Sequence, residues 1–224
     1  MAVTFETAAE LVKRLGNIPL DRICFTPPPG TATMRDLRAA LRRSNHLYEL
    51  VDGTLVEKAM GFSESIIAGQ VLTEIGVFAR QHDLGVAAGA DGTVRLLKGL
   101  VRIPDVAFFS WDKLPGRVLP SKPIPDLAPD LAVEVLSEGN TPAEMKRKLR
   151  EYFLAGVRLV WMIDPAKRQA DVYTAPDLPA ATLDEAQALD GGDVLPGFTL
   201  PLAELFARLP AVPKKKHSPR KKKP

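Results

Sequence analysis

Val101-Arg-Ile-Pro-Asp-Val-Ala-Phe-Phe109 and Leu131-Ala-Val-Glu-Val-Leu136 read as strands, and each carries an acid among apolar side chains. The second run, rich in Val and Leu, has the composition of a central strand buried on both faces. A carboxylate buried without a partner costs several kcal/mol. Asp105 and Glu134 therefore need a reason to be where they are. One reading pairs each with Lys or Arg, or puts it on an exposed strand face. The other makes the two strands neighbours, so that both carboxylates meet one divalent cation whose charge offsets them.

Outward from this pair, the next element is an expected helix from about Thr141 to Leu154, ended by Gly156. It contains Glu144-Met-Lys-Arg-Lys-Leu-Arg-Glu-Tyr152. Lys146, Arg147, Lys148 and Arg150 suit a solvated face. Lys148, however, shares a helical stripe with Met145, Leu149 and Tyr152. A lysine on that stripe can point back over the carboxylates, where it would orient a water or stabilise charge on a phosphate. Upstream, Tyr48-Glu-Leu-Val-Asp-Gly-Thr-Leu-Val56 reads as a hairpin turning at Asp52-Gly53. Glu49 either faces solvent or extends the acidic cluster. Glu57, on the same hairpin, competes weakly for that place.

The remaining pattern frames these segments. A helix is expected over Phe5 to Leu15, with Ala8, Leu11, Val12 and Leu15 on one stripe and Gly16 as its stop. Thr26-Pro-Pro-Pro-Gly30 cannot continue a helix, so residues 1–30 read as a helical extension packed on or tethered to a domain over 31–209. Thr33 with Asp36 caps a helix over Met34 to Arg43. A second helix covers Ser63 to Gln81, with Ile67, Val71, Ile75 and Phe78 on one face. Strands are expected at Val94 to Leu97, Leu100 to Phe109 and Leu159 to Ile163, with Gln169 to Thr174 as an edge strand. Loops and a short hairpin fill 176–197, and Leu202 to Leu209 is a closing helix. This order gives a mixed α/β (α+β) sandwich, a twisted central sheet flanked by helices.

Composition narrows the chemistry. Cys24 is the single cysteine in 224 residues, which excludes an intrachain disulfide and a thiolate zinc site. His46, His82 and His217 show no ligand spacing, so any metal should be a hard ion held by oxygens. There is no Gly-x-Ser-x-Gly elbow, Gly-rich phosphate loop or Cys–His pair, which disfavours a small-molecule hydrolase. The start lacks the pattern of a secretion signal, and no apolar run approaches the roughly 18 residues that span a bilayer. The expectation is a soluble, cytoplasmic protein. From Pro210 the chain reads as a disordered tail. Its seven cations, Lys214, Lys215, Lys216, Arg220, Lys221, Lys222 and Lys223, exceed the chain's net +3 by four, so the rest of the chain is mildly acidic. Such a tail either solubilises the protein or meets DNA phosphates without sequence preference.

Taken together, the hairpin around Glu49, Pro104-Asp-Val106, Val133-Glu-Val-Leu-Ser137, Lys148 with Tyr152, Gly156-Val157 and Trp161-Met-Ile-Asp-Pro165 resemble the Uma-type restriction endonucleases, a bacterial branch of the PD-(D/E)xK superfamily. The resemblance covers roughly 33–206, and its specificity lies in the order and spacing of the motifs. It implies a restriction-endonuclease-like fold and Mg²⁺- or Mn²⁺-dependent hydrolysis of DNA phosphodiesters. It makes Asp105 and Glu134 the metal-holding acids, helped by the Val135 carbonyl, with Glu49 tuning that ion or holding a second. The superfamily's usual lysine position, two residues after the second acid, is Leu136 here. In the Uma-type pattern the lysine has moved to the following helix, where Lys148 matches and Lys146 is the alternative. Ser137-Glu138 replaces a common Ser-Pro, and Ser63, Glu64 and Ser65 stand where a histidine is frequent. A homodimer would suit cutting of two strands. The competing expectation is a catalytically inactive nuclease-fold module that binds nucleic acid or a protein partner.

Overall fold

The computed structural model describes residues 3–59, 61–207 and 209. The expected basic tail therefore lies outside the described residues. Along the chain run α1 (Ala8–Arg14), β1 (Ile23–Cys24), α2 (Met34–Arg43), β2 (Tyr48–Val51), β3 (Thr54–Glu57), α3 (Phe62–Gln81) and β4 (Gly85–Ala88). They are followed by β5 (Val94–Leu97), β6 (Leu100–Arg102), β7 (Val106–Ser110), β8 (Leu131–Val135), α4 (Pro142–Leu154) and β9 (Leu159–Asp164). The chain then forms β10 (Gln169–Tyr173), β11 (Ala181–Leu183), β12 (Ala188–Asp190), β13 (Thr199–Pro201) and α5 (Leu202–Ala207).

The centre is a six-stranded mixed sheet in the order β11-β10-β9-β8-β7-β4. Only β8 and β9 within it run parallel, joined by the α4 crossover. The period of two along each strand sorts its side chains between two cores. Val106, Phe108, Val133, Val135 and Trp161 pack on one face against Ile67, Val71 and Ile75 of α3 and Leu205 and Phe206 of α5. Ala107, Ala132, Val160 and Met162 pack on the other, against Met145, Leu149 and Tyr152 of α4. That second core also takes in Val51, Val56, Val94 and Leu100 from a five-stranded sheet of order β1-β3-β2-β6-β5. The outer face of this second sheet is covered by Leu37 of α2, packed on Leu50, Leu55 and Val101.

Local chemistry sets the pieces. Thr33 and Asp36 form a capping box at the start of α2. Asp52 and Gly53 have φ of 48° and 64°, the left-handed pair that a two-residue hairpin turn requires. A Cβ on Gly53 would sit 2.5 Å from the Gly30 carbonyl oxygen, so close approach also demands glycine there.

Two expectations are corrected. The run Leu100 to Phe109 is not one strand. It breaks at Ile103-Pro-Asp105 into β6 and β7, which belong to different sheets. Pro104 has no N–H to continue a ladder, and the chain crosses between sheets there. Asp105 thus stands at a crossing, not within a strand interior. The central mixed sheet flanked by helices is as expected, and the five-stranded sheet stands beside it. Finally, β10 is not an edge strand, because β11 pairs outside it. Residues 176–197 contribute that edge strand and β12, which pairs with β13. Among the described residues no helix is long and apolar enough to cross a membrane.

The N-terminal segment is built into the core. Leu11, Leu15, Ile18 and Ile23 are buried in the second core, and β1 extends the five-stranded sheet through β3. Gly16, at φ 89°, lies against the first turn of α4, where a Cβ would come within 2.5 Å of Glu144 Cα. Arg22 is the clamp. Its guanidinium donates to both Glu144 oxygens at 3.0 and 2.7 Å, to the Gly139 carbonyl at 2.8 Å and to the Glu57 carbonyl at 2.9 Å. One side chain thereby ties the end of the hairpin, the loop after β8 and the start of α4. Glu144 is held below the usual carboxylate range: burial opposes its charge, and the Arg22 bonds outweigh that. Arg22→Met should lower the unfolding free energy by roughly 3–5 kcal/mol, because it strands Glu144 in the interior. Urea unfolding of this variant should show a lower midpoint with an unchanged slope.

Candidate active site

Asp105 and Glu134 come together by register. Val106 pairs with Val133 across β7 and β8, and the Asp105 N–H still donates to the Val133 carbonyl at 2.9 Å. One step back along this ladder sets Asp105 opposite Glu134, on the face that also carries Ala107 and Ala132. The Val135 N–H then donates to Asp105 Oδ2 at 2.7 Å. The strand that bears one acid therefore orients the other.

Helix α4 crosses above this face. Its buried stripe is Met145, Lys148, Leu149 and Tyr152, so two polar side chains point down among apolar ones. Lys148 Nζ donates to Glu134 Oε1 at 3.2 Å and Oε2 at 3.0 Å. The Tyr152 hydroxyl donates to Glu134 Oε1. Lys146, the alternative lysine, is exposed.

Glu49 belongs to the same cluster but is differently engaged. Leu50 pairs with Val101, which puts Glu49 across from Arg102 on the inner face of the second sheet. Arg102 Nη1 donates to Glu49 Oε2 at 2.5 Å, and the Ile103 N–H donates to Oε1 at 3.1 Å. Lys148 Nζ lies 3.6 Å from that same Oε1. Both Glu49 oxygens are thus occupied by cations or an amide. Glu57, its competitor on the hairpin, instead pairs with His46 at 2.5 Å on the surface.

The electrostatics follow from burial against pairing. Glu49, Asp105, Glu134 and Lys148 are 0, 4, 4 and 3% exposed, so bulk water barely reaches them. Burial pushes the Glu49 carboxyl up, but Lys148, Arg102 and the Ile103 amide outweigh it and hold the pKa at about 2. Burial opposes the Lys148 charge, yet Glu134 and Glu49 keep its pKa above the ordinary lysine value. Glu134 ends above the usual carboxylate range, through burial and the nearby Asp105 and Glu49 charges, which Lys148 only partly offsets. The Tyr152 phenol is raised well above its ordinary value by burial and by Glu134, so it remains a donor.

Two cations here escaped the sequence reading. Arg102 lies in the same run as Asp105, and strand alternation gave a hint of its inward direction. Lys58 gave none, because it follows the hairpin and resembles any surface lysine. Its ammonium lies 2.8 Å from Asp105 Oδ1, with the side chain 3% exposed. The contact is out of line for a hydrogen bond, so Oδ1 is buried beside a cation yet accepts no hydrogen bond.

The donor set fits a hard divalent ion. Two carboxylates share one face, and one oxygen lacks a donor. Among the described residues no third Asp, Glu, His or Cys completes a ligand cluster. Mg²⁺ is a hard ion that can be held by one or two carboxylates, with waters or phosphate oxygens in its other positions. A cavity of about 950 Å³ opens along the flank of α4. It is lined by Leu136, Met145, Leu149 and Met162, and by none of the four charged groups above. It borders the cluster without containing it.

A family model described as "Putative restriction endonuclease" (Uma2) matches residues 34–203. Among solved structures, a crystal structure of "a putative nuclease belonging to DUF820" from Anabaena variabilis is similar to this chain. It aligns over 76% of this chain and 97% of its own, with a TM-score of 0.64 and 19% identity. At that identity the likeness is one of fold. No curated relative matches the chain.

The Glu49 pairing makes a signed prediction. A carboxyl lowered from 4.5 to about 2 contributes stability that is present above pH 4.5 and lost as pH falls toward 2. At neutral pH, Glu49→Gln should be less stable by on the order of 3 kcal/mol. Urea titrations along a pH series should show the gap to wild type closing as pH approaches the lower value.

Proposed function

The chain belongs to the Uma2 family, and from that premise we propose that it is a nuclease that hydrolyses DNA phosphodiester bonds with Mg²⁺ or Mn²⁺. The observation that carries this reading is the pairing of Asp105 and Glu134 on one strand face beneath a buried lysine from the next helix. Asp105 and Glu134 would hold the ion. When bound, the ion would supply Lewis-acid polarisation of the phosphate and a more acidic water. The Val135 N–H fixes one Asp105 oxygen, which leaves Oδ1 for the ion.

Lys148 then has two tasks. It keeps Glu134 oriented, and it places a fixed positive charge where charge builds on the phosphate. Tyr152 holds Glu134 from the same side and cannot act as a base at neutral pH, since its proton is held tightly. Glu49 acts as a positioning residue. It anchors Lys148 and Arg102, which lie against its two oxygens. The family supports a nucleic-acid substrate, and DNA is the polymer we assign.

The test is nicking and linearisation of supercoiled plasmid with Mg²⁺ or Mn²⁺. Asp105→Asn and Glu134→Gln should each cut the rate by at least about 10²–10³, the scale seen when a charge-stabilising group is lost. Lys148→Met should fall in the same range while circular dichroism still reports a folded chain. Cleavage at the wild-type rate in both acid variants would overturn the assignment.

A further inference from the structure

Lys58 is the group in this site that the mechanism does not use. It is the first residue after β3, and its backbone N–H is tied to the Leu47 carbonyl at 2.8 Å. The side chain reaches inward and buries its ammonium between two oxygens. One is Asp105 Oδ1 at 2.8 Å, and the other is the Ala90 carbonyl, to which it donates at 3.1 Å.

The two buried lysines differ in how they are held. Lys148 has three carboxylate contacts, to both Glu134 oxygens and to Glu49. It also sits on a helix, on the buried stripe that carries Met145, Leu149 and Tyr152. Lys58 has one carboxylate contact, off-line, and one neutral carbonyl. Its backbone bond does not depend on where the side chain goes, and its stem is a flexible chain of methylenes. The Asp105 oxygen that Lys58 touches is the one left without a donor, which is the oxygen a metal would take.

From this asymmetry we propose that Lys58 is an exchangeable counter-ion: its ammonium neutralises Asp105 in the metal-free protein and leaves the site when a divalent cation binds. The inference rests on the metal reading above. Without a cation at Asp105, a buried carboxylate would face the interior unpaired, which the fold cannot tolerate cheaply. With both cations present, an ammonium would sit in contact distance of a dication in a poorly screened site. Exchange resolves both conditions with one side chain. Lys148 stays, because Glu134 and Glu49 hold it whether or not the ion is present. The metal-free state is therefore closed and neutralised, and metal affinity is reduced by the fraction of molecules in which Lys58 occupies the oxygen.

The direct test uses the full wild-type chain and an amine-acetylating reagent, with modification of each lysine followed by mass spectrometry. Without metal, Lys58 and Lys148 should both be protected. With saturating Mn²⁺, Lys58 should react faster by roughly tenfold or more, as expected if the buried state is depopulated, while Lys148 stays protected. A Lys58 rate that Mn²⁺ does not change overturns the proposal. Calorimetry supplies the second arm. Lys58→Met, shown folded by circular dichroism, should bind Mn²⁺ more tightly than wild type, and Lys58→Arg should not. Equal affinity of Lys58→Met and wild type, with binding still abolished by Asp105→Asn, overturns the exchange and leaves the nuclease reading intact. No Mn²⁺ binding by any of these proteins overturns both.

Discussion

Lys148 stands where α4 crosses the six-stranded sheet, between the Glu134 and Glu49 carboxylates, and its ammonium offsets two acids placed away from water. Neither partner is dispensable in physical terms. Removing a charge from a buried pair leaves the other unsolvated, which costs far more than a surface ion pair is worth. Arg102 extends the arrangement to the second sheet, and Lys58 closes it at Asp105. Every carboxylate in the cluster therefore has a cation within reach, and each cation comes from a different element. The interior is held together electrostatically at the place where the elements meet.

That dependence explains the shape of the fold around the site. The chain must leave the five-stranded sheet and enter the six-stranded one between Arg102 and Val106. Pro104 makes the break, and Asp105 falls on the far side of it, opposite Glu134. The parallel β8–β9 connection then has to carry a helix back over the sheet, and α4 passes over Glu134 as it does so. Arg22 braces the result by joining the hairpin end, the loop after β8 and the first turn of α4. The N-terminal segment is thus part of the site's support, although it lies outside the stretch matched by the family model.

Much of this was legible in the sequence wherever a local rule applied. Asp52-Gly53 specified the hairpin, Thr33 with Asp36 the start of α2, and the stripe of Met145, Lys148, Leu149 and Tyr152 the inward direction of a charged side chain. Asp105 and Glu134 were conspicuous because acids rarely sit in apolar runs. What was not legible depended on distant pairing. An apolar run reads alike whether it forms one strand or two, so the sheet crossing at Pro104 stayed hidden. β4, Gly85-Val-Ala-Ala88, is three-quarters Gly and Ala, which have weak strand preference. β11 has only three residues, none of them buried, in a stretch rich in Pro, Asp and Gly, so β10 looked like an edge. Glu49 and Arg102 are 53 positions apart, and no local signal joins them. Lys58 carried no signal at all, since its burial is set by a carboxylate that arrives later in the chain.

We propose that Asp105 and Glu134 form one metal site whose lysine comes from α4. The most direct measurement is anomalous diffraction from crystals of the protein grown or soaked with Mn²⁺. A single strong peak within coordination distance of Asp105 Oδ1 and a Glu134 oxygen, with Lys148 still on Glu134, is the expected result. Mn²⁺ absent from that position at saturating concentration, with both carboxylates still bound only to Lys58 and Lys148, would contradict it.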